Sequence, residues 1–404
     1  MTDSMIGKKR HALIAGGGIG GLTAALCLAR QGWTVDLFEA AGSLTEVGAG
    51  LQLSPNAMKV FAALGLADRV AERGFAPEAL ELRLGRSGRR VFSVPVNQHP
   101  SPAWGAPYIH IHRADLINVL ATAVESSPQI TVHLGAEATG YKADSGRAEL
   151  ILDGKPAAEG DILIGADGLH SAIRKQMLGD IPARFTGNLA WRLTVPIDRL
   201  KAPPPPTACV WAGPGRHAVT YRLRGGTLAN FVGIVERHDW RGESWTEQGT
   251  KAEALADFKG WDSTLTDLID QADTHYRWAL FDREPLGTWS DGPVTLLGDA
   301  CHPMLPFQAQ GATQSIEDAY VLAAQLGGDT PVPDALARYE ATRKPRTSRI
   351  QAASRANMKT FHKRTAPAQL AAYGPMWLAG QLLPGVVRSR LDWIYGHDVT
   401  ATDR

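Results

Sequence analysis

The sequence predicts an α/β protein in which a parallel-sheet domain is interrupted by a second, mainly antiparallel sheet and followed by a helical C-terminal region. Three observations carry this. The stretch from His11 to Glu39 reads as strand, glycine turn, helix and strand. The same grammar returns at Asp161–Arg174 and at Val294–Leu326. Between Thr186 and His275, short strand patterns take the place of helices. The expected division assigns residues 1–77, 105–183 and 276–345 to the parallel-sheet domain, 78–104 and 184–275 to the inserted sheet, and 346–404 to the helical region.

The first stretch is the most informative. Gly16, Gly18 and Gly21 fill the pattern GxGxxG, and Glu39 ends the next apolar run, where its carboxylate can accept from a ribose hydroxyl. Gly16 allows a tight turn, Gly18 lets backbone approach a pyrophosphate at a helix N-terminus, and Gly21 lets the helix pack closely on the strand. A tight turn of any α/β protein is the plainer alternative. Membrane insertion is a third reading, since Ala12–Ala29 is poor in polar side chains and follows Lys8, Lys9 and Arg10. The glycines in that window argue against it, because they weaken a spanning helix.

Further along, Val47–Asn56 is a glycine loop that leads to Ser54 as N-cap and Pro55 at the first position of a helix running to about Leu64. Gly48 and Gly50 there suggest backbone passing close to something bulky. Leu80, Leu82 and Leu84 alternate with charged residues, and the turn at Arg86–Arg89 makes a hairpin with Val91–Val94. Tyr108–His112 is a strand ending at Arg113, a cation suited either to a phosphate or to solvent, before a helix over 114–124. At the second strand-turn-helix unit, Asp167 and Gly168 occupy the turn and Ser171 caps the helix that holds Arg174. Pro203–Pro206 is a stiff connector.

In Arg216–Leu223, His217, Val219 and Tyr221 are two positions apart and share a face, while Ala218, Thr220 and Arg222 take the other. A satisfied His-Tyr pair on a half-buried face and a functional pair both fit that spacing. After Gly298-Asp299 comes a loop rich in Pro, Gly and Gln, then a helix from about Gly311 to Leu326. Such a loop at the carboxyl end of a strand fits a ligand site. The basic helical segment from Asp334 to Arg364 reads as a solvated face, with long-range attraction of an anionic substrate or nicotinamide phosphate as the alternative.

Composition narrows the function. A chain of 404 residues with 44% hydrophobic content supports two cores, and 42 Lys+Arg against 41 Asp+Glu supplies no field for nucleic acid or an anionic membrane. Cys27, Cys209 and Cys301 are too few and scattered for a disulfide framework or a zinc site. Cys27 is expected to pack inside the first helix. A reducing, cytoplasmic setting is expected, with neither nucleic acid nor an integral membrane segment as partner.

Three motifs in this order, Gly16-x-Gly18-x-x-Gly21 with Glu39, Asp167-Gly168 and Gly298-Asp299, resemble the single-component flavin-dependent aromatic hydroxylases. The resemblance spans nearly the whole chain. Val47–Asn56, Ala309-Gln-Gly-Ala312 and Leu391–Gly396 look most like the salicylate, 3-hydroxybenzoate and 6-hydroxynicotinate hydroxylase branch. It implies FAD with its adenine half on Gly16, Gly18, Ile19, Gly21 and Glu39, and Arg113 near the phosphates or ribityl chain. Asp299 would meet the ribityl hydroxyls, Asp167-Gly168 would serve both FAD binding and NAD(P)H use, and Gly311 and Ala312 would lie at the flavin pyrimidine edge.

The implied chemistry is reduction of FAD by NADH or NADPH, capture of O2 as a C4a-hydroperoxide, and oxygen transfer to an electron-rich ring. His217 resembles the histidine that activates the ring in that branch, and Tyr221 its substrate-binding tyrosine at the same spacing. Gln52, where a branch member carries a histidine, and Pro306 complete the implied substrate contacts. A carboxylated phenol or hydroxypyridine is the expected substrate, acted on by a monomer or homodimer. A reductase or dehydrogenase of the same fold, without oxygen insertion, is the alternative. With no second GxGxxG unit, the nicotinamide is expected to visit without a Rossmann site of its own.

Overall fold

The computed structural model describes residues 10–44, 50–97, 102–144, 146–237 and 247–401. Gly48 and the start of the 47–56 loop fall outside them.

The apolar strand His11–Ala15 lies at the heart of a six-stranded sheet, between Ile162–Gly165 and Thr34–Glu39. Val294–Leu296 and Ile130–Leu134 extend it in parallel, and the short Ser290–Asp291 closes one edge antiparallel. Residues 12–15 and 162–164 are fully buried, as continuous apolar strands covered on both faces must be. The helix Ile19–Arg30 follows the glycine turn, and buried Cys27 lies within it. Among the described residues no helix is long and apolar enough to cross a membrane.

The second sheet has seven strands in the order 276–282, 184–196, 228–236, 216–223, 208–213, 79–84 and 90–95. All its pairings are antiparallel except that of 208–213 with 79–84. Tyr276–Asp282 pairs with Arg184–Pro196, so this sheet continues past the expected junction at 275. The helix Val332–Phe361 likewise runs unbroken across the junction expected at 345.

The two faces of this sheet differ. On one, Trp191, Trp211 and Phe231 pack against Phe258 and Trp261, from the cap and connection after the helix Lys251–Asp257, and Leu265 and Leu268 of the helix Ser263–Gln271. Each such large side chain contributes about 1.5–3 kcal/mol on burial. On the other, Ala190, Val232, Ile234 and Trp278 meet Leu305 and Phe307 from the turn before the helix Gly311–Gln325. The second face therefore looks toward the parallel-sheet domain.

Two further details differ from expectation. Ser54 precedes the helix Pro55–Ala63, but its side chain makes no cap bond; its hydroxyl donates to Asn56 and accepts from Gln310. The basic helix 332–361 is not merely a solvated face, since Arg343, Thr347, Ile350, Gln351 and Ser354 are buried. Arg343 holds Glu317 at 2.5 Å and Asp318 at 2.7 Å on the helix Gly311–Gln325. A solvated face over Asp334–Arg364 is the expectation from local composition, because the buried acids that pair with Arg343 lie 25 or more positions away.

Candidate active site

The glycine turn is built as its spacing requires. Gly16 has φ +107°, and a Cβ there would stand 2.3 Å from the carbonyl oxygen of Ala166. At Gly21 a Cβ would come within 1.9 Å of the Gly16 oxygen. Gly18, by contrast, caps the helix with open space beside it and no side-chain cap. Ile19 is the first helical residue and is buried. Unspent N–H groups thus face a cleared volume, the arrangement that takes a pyrophosphate. Glu39 accepts from Gly17 N at 2.6 Å and Ala41 N at 2.8 Å, which fixes its carboxylate against the turn.

Of the other expected cofactor residues, Arg113, Asp299 and Gly311 converge. Arg113 opens the helix Arg113–Glu125, where burial lowers its pKa and the charge of nearby Asp299 opposes that shift. Asp299 is exposed between buried Gly298 and Ala300. Its Oδ1 lies 3.9 Å from where a Cβ on Gly311 would be. Gly311 and Ala312, both half-buried, form the first turn of Gly311–Gln325, a helix without acidic residues in that turn. Asp167 uses Oδ2 to accept from Ile173 N at 3.2 Å, while its buried Oδ1 has no partner. Burial raises the Asp167 carboxyl against the hydrogen bonds from Ser171 and Ile173. Ser171 caps its helix as expected, accepting from Arg174 N at 2.9 Å. The open Gly18 corner and the orphaned Asp167 oxygen fit a dinucleotide that supplies phosphates and hydroxyls.

His217 and Tyr221 do share a buried face. His217 lies against Phe307 and Phe361, with ring centroids 5.3 and 5.2 Å away. Burial, and then neighbouring His362, hold its pKa well below the usual histidine value, so the imidazole is neutral and keeps a nitrogen lone pair. Tyr221 donates to Gly50 O at 2.6 Å, and Asn230 Oδ1 accepts from Gly50 N at 3.0 Å. This pins both backbone groups of Gly50, where a Cβ would strike the tyrosine ring at 2.4 Å. Gln52 pairs across the ribbon with His110 and accepts from the Tyr108 hydroxyl at 2.8 Å. Pro306 begins the turn that carries Phe307. Arg222 turns away from His217 and donates to Pro204 O.

Sequence reasoning missed two residues. Arg192 pairs with Val232 across the strands, which puts it on the His217 face beside Trp278, 4.4 Å from that ring centroid. Its Nε is buried without a partner, and burial brings the guanidinium down to about 10. The Trp191-Arg192 alternation carried the signal, since Trp191 belongs to the opposite core. His362 caps the long helix and meets His217 Nδ1 at 2.7 Å; nothing in its local sequence announces that contact.

Known proteins align with this geometry along its length. The family model of the FAD binding domain matches residues 9–354. The chain is 37% identical over 393 residues to a 3-hydroxybenzoate 6-hydroxylase of Aquipseudomonas alcaligenes, covering 96% of this chain and 98% of that protein. It is 33% identical over 403 residues to a 6-hydroxynicotinate 3-monooxygenase of Bordetella bronchiseptica, with 98% and 97% covered. Among solved structures, a salicylate hydroxylase substrate complex superimposes with TM-score 0.81 at 26% identity, covering 97% of each chain. Klebsiella pneumoniae HpxO complexed with FAD and uric acid gives 0.83 at 27%, covering 96% and 99%. The chain belongs to the FAD-binding family, among the flavin-dependent aromatic-ring monooxygenases.

Proposed function

We propose that this protein hydroxylates a phenol or hydroxypyridine that carries a carboxylate, with the six-stranded domain holding FAD and the seven-stranded sheet holding the substrate. The supporting observation is the face of Arg216–Leu223 that sets buried, neutral His217 against Phe307, four residues before the helix start at Gly311. The chemistry FAD supplies there is two-electron uptake from NADH or NADPH and delivery of one oxygen atom from O2 to the ring.

The chain's own residues prepare that transfer. Gly16, Gly18, Ile19, Gly21 and Glu39 hold the adenine end, while Arg113, Asp167 and Asp299 hold the centre. The N-terminal turn at Gly311 and Ala312 places its N–H groups where negative charge develops. His217 accepts the ring hydroxyl's proton, which pushes charge onto the ortho and para carbons. Tyr221 orders the wall through Gly50, with Gln52 and Pro306 beside it. Arg192 supplies the cation for the carboxylate, and the aromatic and aliphatic lining keeps water out. Three buried free cysteines suit work in the cytoplasm. The working form in this reading is a monomer or homodimer.

The test is a panel of aromatic acids scored for NAD(P)H oxidised, hydroxylated product formed and hydrogen peroxide released. A phenolic acid that accelerates oxidation with matching product is the expected result. Oxidation that yields only peroxide across the panel would leave the reductase reading instead.

A further inference from the structure

His217 is not the end of its own hydrogen-bond chain. Its Nδ1 stands 2.7 Å from Nε2 of His362, and Nδ1 of His362 stands 3.0 Å from Oε1 of Glu236. The two rings are buried, whereas 24% of the Glu236 side chain reaches solvent. Three separate segments meet here: the strand Arg216–Leu223, the cap of the helix Val332–Phe361, and the last residue of the strand Leu228–Glu236.

The chain has a direction. An ionised carboxylate only accepts, so His362 donates to Glu236 from Nδ1. A neutral imidazole carries one N–H, so His362 Nε2 accepts, and the donor facing it is His217 Nδ1–H. The lone pair of His217 is thereby left on Nε2, the nitrogen not engaged with His362. A half-exposed acid thus fixes the tautomer of the buried base two residues away.

We propose that His217, His362 and Glu236 form a proton relay that carries the substrate's hydroxyl proton from the buried site to solvent, an inference that rests on reading His217 as the base. The O–H bond breaks with its electron pair staying on oxygen, and an N–H forms at His217 Nε2. The proton on His217 Nδ1 moves to His362 Nε2, and that on His362 Nδ1 moves to the Glu236 carboxylate, from which water takes it. No electron changes hands. A proton returning along the same path when the product hydroxyl forms restores both tautomers.

Burial makes such an exit necessary. An imidazolium held between Phe307 and Phe361 would be a charge taken out of water, and the direction of the shift at both rings disfavours it. Two cations face the outer end: Arg216 and Arg364 lie near His362, and Arg364 pairs with the second Glu236 oxygen.

The relay is tested on the FAD-loaded protein without NAD(P)H, with 3-hydroxybenzoate as probe, by stopped-flow. The phenolate band and the response of a pH-indicator dye in weak buffer are followed together. In His362→Phe and Glu236→Gln both signals are expected to slow by about tenfold or more, with an unchanged flavin spectrum and partial recovery in Glu236→Asp. Wild-type rates in both variants overturn the relay and leave the base standing. Phenolate that forms normally in His217→Ala, or not at all in the wild type, overturns the reading of His217 itself. Should His362→Phe fail to retain flavin, the half-exposed Glu236→Gln carries the test alone.

Discussion

The six-stranded and seven-stranded sheets solve different problems with different parts of the chain. In the first, the decisive groups are backbone: Gly16 at φ +107°, the open corner at Gly18, and Gly21 against the Gly16 carbonyl lie within six residues of one another. In the second, the decisive groups are side chains, and Arg192, His217, Glu236 and His362 come from four segments. A backbone-built site has to be contiguous, because only neighbouring residues share a turn. A side-chain site is assembled by strand pairing and one long helix, so it leaves no local spacing. The contrast predicts that the two halves fail differently.

The largest effect is expected at the turn. In Gly21→Ala the new Cβ would sit 1.9 Å from a backbone oxygen that cannot rotate away, so the helix must separate from its strand. A cost on the order of 4 kcal/mol or more is expected, with loss of bound FAD, measured as flavin absorbance after gel filtration and as thermal unfolding. His217→Ala should do the reverse, keeping FAD and losing roughly 10²–10⁴-fold in hydroxylation. The sign with pH follows from the depressed histidine: wild type keeps a neutral base well into acid, whereas the variant depends on phenolate formed in solution. Its deficit should therefore be deepest at low pH and shrink toward about pH 10, the usual range of a phenol. A parallel profile for the two proteins would remove His217 from the chemistry.

That contrast also explains what the sequence made legible. The glycine turn, Glu39, Ser171 as a cap and the helix start at Gly311 follow from local rules, and each stands where those rules place it. The shared face of His217 and Tyr221 followed from period-two alternation alone. What that face meets did not, because the partners of Tyr221 and His217, Gly50 and His362, lie 171 and 145 residues away. The basic helix misled for the same reason: Arg343 looks solvated until Glu317 and Asp318 are brought under it.

Glu317 ties the helix that begins at Gly311 to the long helix Val332–Phe361 through Arg343 and Arg346. Burial alone would raise its carboxyl, but the two guanidiniums win and bring it down to about 2. A carboxyl held below its unfolded value of 4.5 contributes stability that is full above that value and is lost as pH falls toward about 2. Glu317→Gln should cost about 3–5 kcal/mol near neutrality, since it leaves a buried guanidinium short of its partner. It should also flatten the acid limb of the melting-temperature profile between those two pH values. A limb as steep as wild type would assign acid unfolding to other carboxyls.

The smallest effect is the most specific. Arg192 lies on the His217 side of the sheet with Nε buried and unpaired, stacked on Trp278, and a cation so placed favours an anion coming from solution. A charged hydrogen bond of this kind is worth about 1.5–3 kcal/mol, or roughly 10–100-fold in affinity. Arg192→Gln should weaken a carboxylated phenol by that factor and leave the same phenol without its carboxylate nearly unchanged, as read by flavin difference spectra on titration. Arg192 lies near enough to Arg113 for their charges to interact, so flavin absorbance after gel filtration is read alongside, and FAD retention is the expected result. Equal weakening of both ligands would move Arg192 from the carboxylate to general shaping of the wall, and loss of FAD would move it to the cofactor.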